Sequence, residues 1–153
     1  MSRLELKVPP VVVVLIAAAL MWLLAKATPS VAFEMPARKA VVAVLVALGI
    51  AIIGAGIAAF RRAQTTVDPR TPEAASSIVR TGIYRWSRNP MYLGFLLILA
   101  GWGVALSNGL ALLVLPLFVA YISRFQIVPE ERALRQRFGA DYEAYTASVR
   151  RWI

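Results

Sequence analysis

Most of this chain's capacity for chemistry lies in two places. One is a pair of adjacent carboxylates, Glu130-Glu131. The other is an upstream run of aromatic, guanidinium and amide side chains: Arg80-Thr81-Gly82-Ile83-Tyr84-Arg85-Trp86-Ser87-Arg88-Asn89-Pro90-Met91-Tyr92-Leu93-Gly94. The chain has no cysteine and no histidine. That excludes a thiolate nucleophile, a disulfide framework and a cysteine metal site. It also removes the commonest metal ligand and the commonest general base. No metal is expected, and any reaction must run on carboxylates, tyrosines, amides, arginines and the backbone.

Each of these residues also has a plain structural duty. Asn89 before Pro90 suits an N-cap and first helical position. Tyr84, Arg85, Trp86 and Arg88 read as an interfacial belt with snorkelling cations. Gly94 suits a close helix contact. Pro129-Glu130-Glu131 has the composition of a helix start, where acids meet the positive end of the dipole. Ala133, Leu134 and Phe138 would be the apolar face of a short interfacial helix ended by Gly139. In combination the features say more. Two aromatic, arginine-rich segments flank an apolar hairpin with a paired carboxylate at its exit, an arrangement suited to holding a polar cofactor beside a lipid-facing opening.

The elements that must position these groups are membrane helices. Of 153 residues, 59% are hydrophobic and 16% charged, against roughly 25% charged in soluble globular chains. The length allows one domain. The expected fold is therefore all-α and polytopic, with about four transmembrane helices. The apolar stretches run over 8–25, 40–60, 91–106 and 110–128. A span needs about 20 residues. The second stretch meets this, the third is short, and the fourth reaches it only with Arg124 and Gln126 in its last turns. The expected divisions are two N-terminal spans (1–62), a cytoplasmic loop (63–90), a helical hairpin (91–128) and a cytoplasmic C-terminal segment with short interfacial helices (129–153). Ser107-Asn108-Gly109 is the hairpin's turn, and Thr71 to Ser77 reads as irregular. Arg3 and Lys7 before Val11–Leu24, followed by Ala25-Lys26-Ala27, imitate a secretory signal with its cleavage site; a retained span is expected instead. In the second stretch Ala43, Ala47, Ala51, Ala55 and Ala59 form a small-residue stripe. It predicts close packing against the first or third span, with a homodimer seam as the second reading.

The formal net charge is +9. The arginines flank apolar runs and form no continuous basic face, so no nucleic-acid partner is expected. Fourteen lysines and arginines fall in the N-terminus, the central loop and the tail, and three (Lys26, Arg38 and Lys39) fall on the other side. By the positive-inside rule both termini and the central loop, and with them the active site, are expected on the cytoplasmic face of a cell inner membrane. The lipid bilayer is then the first partner.

Gly82-x-Tyr84, Arg88-Asn89-Pro90-Met91-Tyr92-Leu93-Gly94 and Glu130-Glu131-x-x-Leu134-x-x-x-Phe138-Gly139-x-x-Tyr142-x-x-Tyr145 resemble the C-terminal half of the isoprenylcysteine carboxyl methyltransferase family. The related phospholipid N-methyltransferases share a looser version. The resemblance covers about residues 76–152. It implies an S-adenosylmethionine-dependent methyltransferase acting on a lipophilic or small amphipathic acceptor. Carried over, the cofactor contacts fall on Ser76, Ser77, Ile78, Val79, Gly82, Tyr84, Arg88, Asn89, Pro90, Met91, Tyr92 and Glu130. Glu131 is the candidate base wherever the acceptor must lose a proton, so Glu130 and Glu131 are the expected catalytic pair. Two positions depart from the pattern. Asn89 stands where histidine is usual. Gln126, with Arg124 nearby, stands where a substrate-contacting arginine is common, so Arg124 and Gln126 are the candidate acceptor contacts.

The residues leave two alternatives. One is an NADPH-dependent reductase, since membrane sterol reductases have a similar C-terminal architecture. The other is a non-catalytic membrane scaffold subunit.

Overall fold

The computed structural model describes residues 5–63 and 77–153. Arg3, Arg70, Ser76 and the stretch from Thr71 lie outside the described residues. The chain is an all-α membrane protein. Helix α1 spans Pro10–Ala27, α2 Arg38–Arg62 and α3 Pro90–Leu106. A final helical rod runs from Gly109 to Phe138 in four pieces: α4 (Gly109–Leu112), α5 (Val114–Ile122), a π turn (Ser123–Ile127) and α6 (Val128–Phe138). Helix α7 (Ala140–Ser148) follows a turn at Gly139, whose φ of +50° is costly for a residue with a Cβ. The stretches Pro10–Ala27, Arg38–Arg62 and Gly109–Phe138 are long and apolar enough to cross a membrane, and α3 is a shorter apolar helix.

The pieces of the rod have identifiable causes. A proline inside a helix gives no N–H to the carbonyl four residues back and crowds it. Pro116 stands four residues after Leu112, and the rod breaks at Leu113. Pro129 stands four after Phe125, and there the rod opens into the π turn. The Phe125 carbonyl accepts instead from the Leu6 N–H at 3.1 Å. The next residue, Gln126, donates from Nε2 to the Val8 carbonyl at 2.7 Å. The segment before α1 thus lies as a strap on the π turn. This corrects the reading of Pro129-Glu130-Glu131 as the start of a separate interfacial helix. The helix is already running when it reaches them, and it continues to the expected stop at Gly139.

Helix α3 is the axis of the bundle. On one side it meets α2 backbone to backbone: a Cβ on Gly94 would come within 2.6 Å of Ile53 Cγ1 and 2.7 Å of the Gly49 carbonyl oxygen. On the other side α1, α4 and α5 close over it, with Met21, Leu99, Phe118, Ile122 and Ile127 in one buried cluster. Helix α1 contributes Val13, Ala17 and Met21 to that core. The alanine stripe of α2 does not do what its spacing predicts. Ala43, Ala47, Ala51 and Ala55 are exposed, and Gly49, Gly56 and Ala59 carry the contact. The reason is α3's own glycines, which set the closest approach on a neighbouring face of α2.

At the hairpin tip Ser107 adopts a left-handed conformation (φ +51°) and Asn108 caps α4, its Oδ1 accepting from the Ala111 N–H at 3.0 Å. The expected turn over 107–109 is present. It docks on the α1–α2 connection, where the Phe33 N–H donates to the Ser107 carbonyl at 2.9 Å.

Candidate functional site

At the end of the bundle opposite this tip, four pieces of chain converge. They are the C-terminal turns of α2, a short 3-10 helix (Gly82–Arg85), the start of α3 and the start of α6. Proline at the first position of α3 fixes its entry, and Asn89 occupies the N-cap position as expected. The Asn89 side chain does not cap the helix, however. Its Nδ2 donates to the Arg151 carbonyl at 2.9 Å. One turn into α3, the Tyr92 hydroxyl donates to Glu130 Oε1 in the first turn of α6. Tyr92 is buried and Glu130 half-buried. Among the described residues no cation pairs with Glu130.

Tyr84 stands beside this pair. It is buried, which corrects its assignment to an interfacial belt; Trp86, two residues on, is 80% exposed. Gly56 makes the room, since a Cβ there would lie 3.5 Å from the Tyr84 hydroxyl and 2.8 Å from Met91 Cγ. Phe60 meets the Tyr84 ring edge-on, with centroids 5.3 Å apart. The Tyr145 hydroxyl donates to the Tyr84 carbonyl at 2.8 Å. Burial, with the nearby Tyr145 and Glu130, holds the Tyr84 phenol well above its ordinary range. Tyr84 is therefore a neutral aromatic wall.

Glu131, next in sequence, has different partners. It is buried and accepts from Arg151 through both oxygens, at 3.0 Å from Nε and 2.7 Å from Nη2, while Arg88 Nη2 lies 3.1 Å away. The Arg88 N–H donates to the Arg150 carbonyl at 3.0 Å. Arg88, Glu131, Arg151 and Asn89 thus form a closed ring that latches the C-terminal tail across the start of α3. Hydrogen bonding to Glu131 raises the Arg151 guanidinium further above its already high range. No simple sequence pattern announces this latch, because the four residues come from three distant segments. The one local signal is the basic Arg150-Arg151 pair just after α7.

The remaining candidate residues are distributed around this centre. Val79 is buried with Ala59 and Tyr84, and Ile78 packs on the Tyr142–Tyr145–Val149 cluster. Ser77 Oγ donates to the Ala63 carbonyl at 3.4 Å. Gly82 opens the 3-10 helix with φ +61°. Leu134 and Phe138 pack on α7's tyrosines, so the apolar face of α6 serves the protein's interior. Arg124 does not join the pair: it is exposed and lies 3.2 Å from Glu5, a nearly buried carboxylate that Arg132 also meets at 3.4 Å. Gln126 is buried one turn before Glu130. Its Nε2 is committed to Val8, and among the described residues its Oε1 has no partner and Arg88 Nε is likewise buried without one. Ser76 lies outside the described residues. Among the described residues no cluster of acidic side chains could hold a metal ion.

Fold and site define a polytopic helical membrane protein with a polar aromatic centre at one end of its bundle. The chain belongs to the phospholipid methyltransferase family, which it matches over residues 37–141. The match reaches back to the start of α2, further than the motifs of residues 76–152 alone. An uncharacterized protein of Haemophilus influenzae is 46% identical over 63 residues, 41% of this chain and the whole of that protein. The protein-S-isoprenylcysteine O-methyltransferase of Saccharomyces cerevisiae is 36% identical over 80 residues, 50% of this chain and 32% of that protein. A probable protein-S-isoprenylcysteine O-methyltransferase of Oryza sativa subsp. indica is 33% identical over 106 residues, 69% of this chain and 56% of that protein. The alignments therefore span about a third and just over half of these two methyltransferases. No solved structure matches the chain at a significant level.

Proposed function

We propose that this protein transfers a methyl group from S-adenosylmethionine to a lipophilic or small amphipathic acceptor, at the cytoplasmic face of the membrane it spans. The observation that carries the reading is the Tyr92–Glu130 pair. A half-buried carboxylate whose hydrogen-bond partner is one neutral hydroxyl, with no cation beside it, suits a polar or cationic group brought by a ligand. The surrounding donors and surfaces fit the cofactor. Glu130 would hold its cationic or hydroxyl part, Tyr84 and Tyr92 would offer aromatic surface to the sulfonium or adenine, and the orphaned Arg88 Nε would face a carboxylate. Ser77 to Val79, Gly82 and Asn89 to Met91 would form its walls. When bound, the cofactor supplies a methyl group already activated by positive sulfur, so the protein's task is chiefly alignment.

The two carboxylates divide the work. Glu130 binds, and Glu131, held between two guanidiniums, positions the tail and the start of α3. An acceptor that is already an anion needs no base. Gln126 presents an amide oxygen without a partner where an arginine would present charge, which suits an acceptor bearing a hydrogen-bond donor better than a prenylcysteine carboxylate. The family match favours methyl transfer over the reductase and scaffold alternatives.

Calorimetric titration with S-adenosylhomocysteine tests the reading. The expected result is saturable one-to-one binding by the wild type, weakened roughly 10- to 100-fold in Glu130→Gln, the scale of a hydrogen bond to a charged group. No binding by a folded wild type would overturn it.

A further inference from the structure

On the same end of the bundle, outside the Tyr92–Glu130 centre, a cleft of about 320 Å³ opens between α7 and the chain entering the 3-10 helix. Its lining is Arg80, Arg85, Ala144, Tyr145, Ser148 and Val149. Two arginines therefore line a space with no carboxylate among the described residues of its wall. Arg80 is pre-set, its Nη2 donating to the Asp141 carbonyl at 2.7 Å. The Asp141 carboxylate is 3.9 Å from that nitrogen and 81% exposed, so water screens most of its pull. Arg85 is exposed and has no ion pair or hydrogen bond among the described residues. The Tyr145 hydroxyl is committed to the Tyr84 carbonyl, and the Ser148 hydroxyl donates to the Tyr145 carbonyl at 3.0 Å. The donors left for a ligand are the guanidiniums.

Planar guanidinium forks match phosphate oxygens, and two of them around one cleft make a site for that geometry. A second observation fixes the level of the site. Trp86, adjacent to Arg85, is 80% exposed, and an indole so placed in a membrane protein marks the headgroup layer. Basic pockets on this face of a membrane protein take anionic headgroups.

We propose that the Arg80–Arg85 cleft binds a phosphate-bearing anion at a site separate from the one assigned to methyl transfer. Two sources share this chemistry, a phospholipid headgroup and free phosphate. The occupant neutralises the guanidiniums and ties α7 to the segment leading into Tyr84, and through it to the methyl-transfer site.

The test uses the full chain in detergent. Native mass spectrometry reads retention of phosphatidylglycerol against phosphatidylcholine with the same acyl chains, and calorimetry reads inorganic phosphate. The wild type is expected to retain one phosphatidylglycerol in preference to phosphatidylcholine, and Arg80→Gln/Arg85→Gln to lose it about tenfold or more. Arg85→Gln alone leaves the Arg80–Asp141 contact intact and guards against a folding artefact; it is expected to show a smaller loss in the same direction. Lipid preference without saturable phosphate binding assigns the headgroup as the source. Saturable phosphate binding lost in both variants assigns free phosphate. Equal retention of the two lipids with no saturable phosphate binding overturns the proposal, as does binding that both variants keep. Competition by S-adenosylhomocysteine would merge the cleft with the cofactor site and overturn its separateness. Absence of S-adenosylhomocysteine binding, by contrast, bears on the methyl-transfer reading and leaves this one standing.

Discussion

The two ends of the bundle treat their polar groups in opposite ways. At the hairpin tip Asn108 caps α4 with one side-chain atom and reaches the Thr28 carbonyl at 2.8 Å with the other. Ser107 Oγ accepts from Arg38 Nη1 at 2.6 Å and donates to the Val104 carbonyl at 3.2 Å. At the far end Glu130 meets a single hydroxyl, and Arg88 Nε and Gln126 Oε1 are buried with no partner among the described residues. A buried polar atom without a partner costs free energy, so its presence in a folded chain calls for an explanation. Polar chemistry at the tip holds the fold together. At the other end part of it is left without a partner among the described residues, as the proposed cofactor site would require. The latch around Glu131 is the exception there, a structural device built into the site's wall.

That contrast can be broken from either side. Glu131→Ala should have the largest effect, because it leaves the Arg88 guanidinium, 12% exposed, without its counter-charge. Removing one partner of such a pair costs about 3–5 kcal/mol. Thermal unfolding in detergent should fall further for it than for any other variant named here, and a small change would mean that the latch is not structural. Tyr92→Phe comes next. It should weaken S-adenosylhomocysteine binding by roughly 1.5–3 kcal/mol and lower the melting temperature less than Glu131→Ala does, because the carboxylate it strands is only half-buried. A stability loss with intact binding would move this tyrosine to the tip's category. Asn108→Ala is the mirror experiment, expected to cost about 1–2 kcal/mol of stability and to leave calorimetric binding as in the wild type.

The last effect is in alkali. Burial pushes the Tyr142 phenol up to about 12, with nearby Glu131 adding to the shift. The folded state thus keeps a proton that the unfolded chain releases near pH 10. The stability this group contributes is fully present below pH 10 and should decline as pH rises from about 10 towards 12. Tyr142→Phe should flatten that part of the curve, and an unchanged slope would assign it to other groups.

Much of this was legible from residue types. The four apolar stretches, the 107–109 turn, the helix entry at Pro90 and the Gly139 stop all follow from local rules and are present in the structure, although the Asn89 side chain does not cap α3 and the last stretch runs on to Phe138. What local rules missed depends on contacts between distant segments. Pro129-Glu130-Glu131 carries every mark of a helix start. The helix runs through it because Leu6, from the other end of the chain, takes the carbonyl that Pro129 leaves without a donor. The alanine stripe of α2 was a sound signal of close packing, but α3's glycines fixed the seam on a different face. Tyr84 next to Arg85 and Trp86 looked like a surface belt, and only the space above Gly56 draws it inward. For the candidate site, resemblance to a family motif named Tyr92 and Glu130, and the fold brings the two into contact. The bond between Glu131 and Arg151 needed the fold.

The π turn has a consequence for how this chain can vary in length. Its hydrogen bonds reach five residues back, as from the Val128 N–H to the Ser123 carbonyl, so it accommodates one residue more than an α-helical turn. An α-helix rotates about 100° per residue. Deleting one residue within Ser123–Ile127 would let the turn relax to α-helix while α5 and α6 kept their present rotational phase. The same deletion inside α5 would swing everything after it by about 100° and carry Glu130 away from Tyr92. Two homologues whose last long helices differ by one residue can therefore aim the same carboxylates in the same directions, provided the difference falls in this turn.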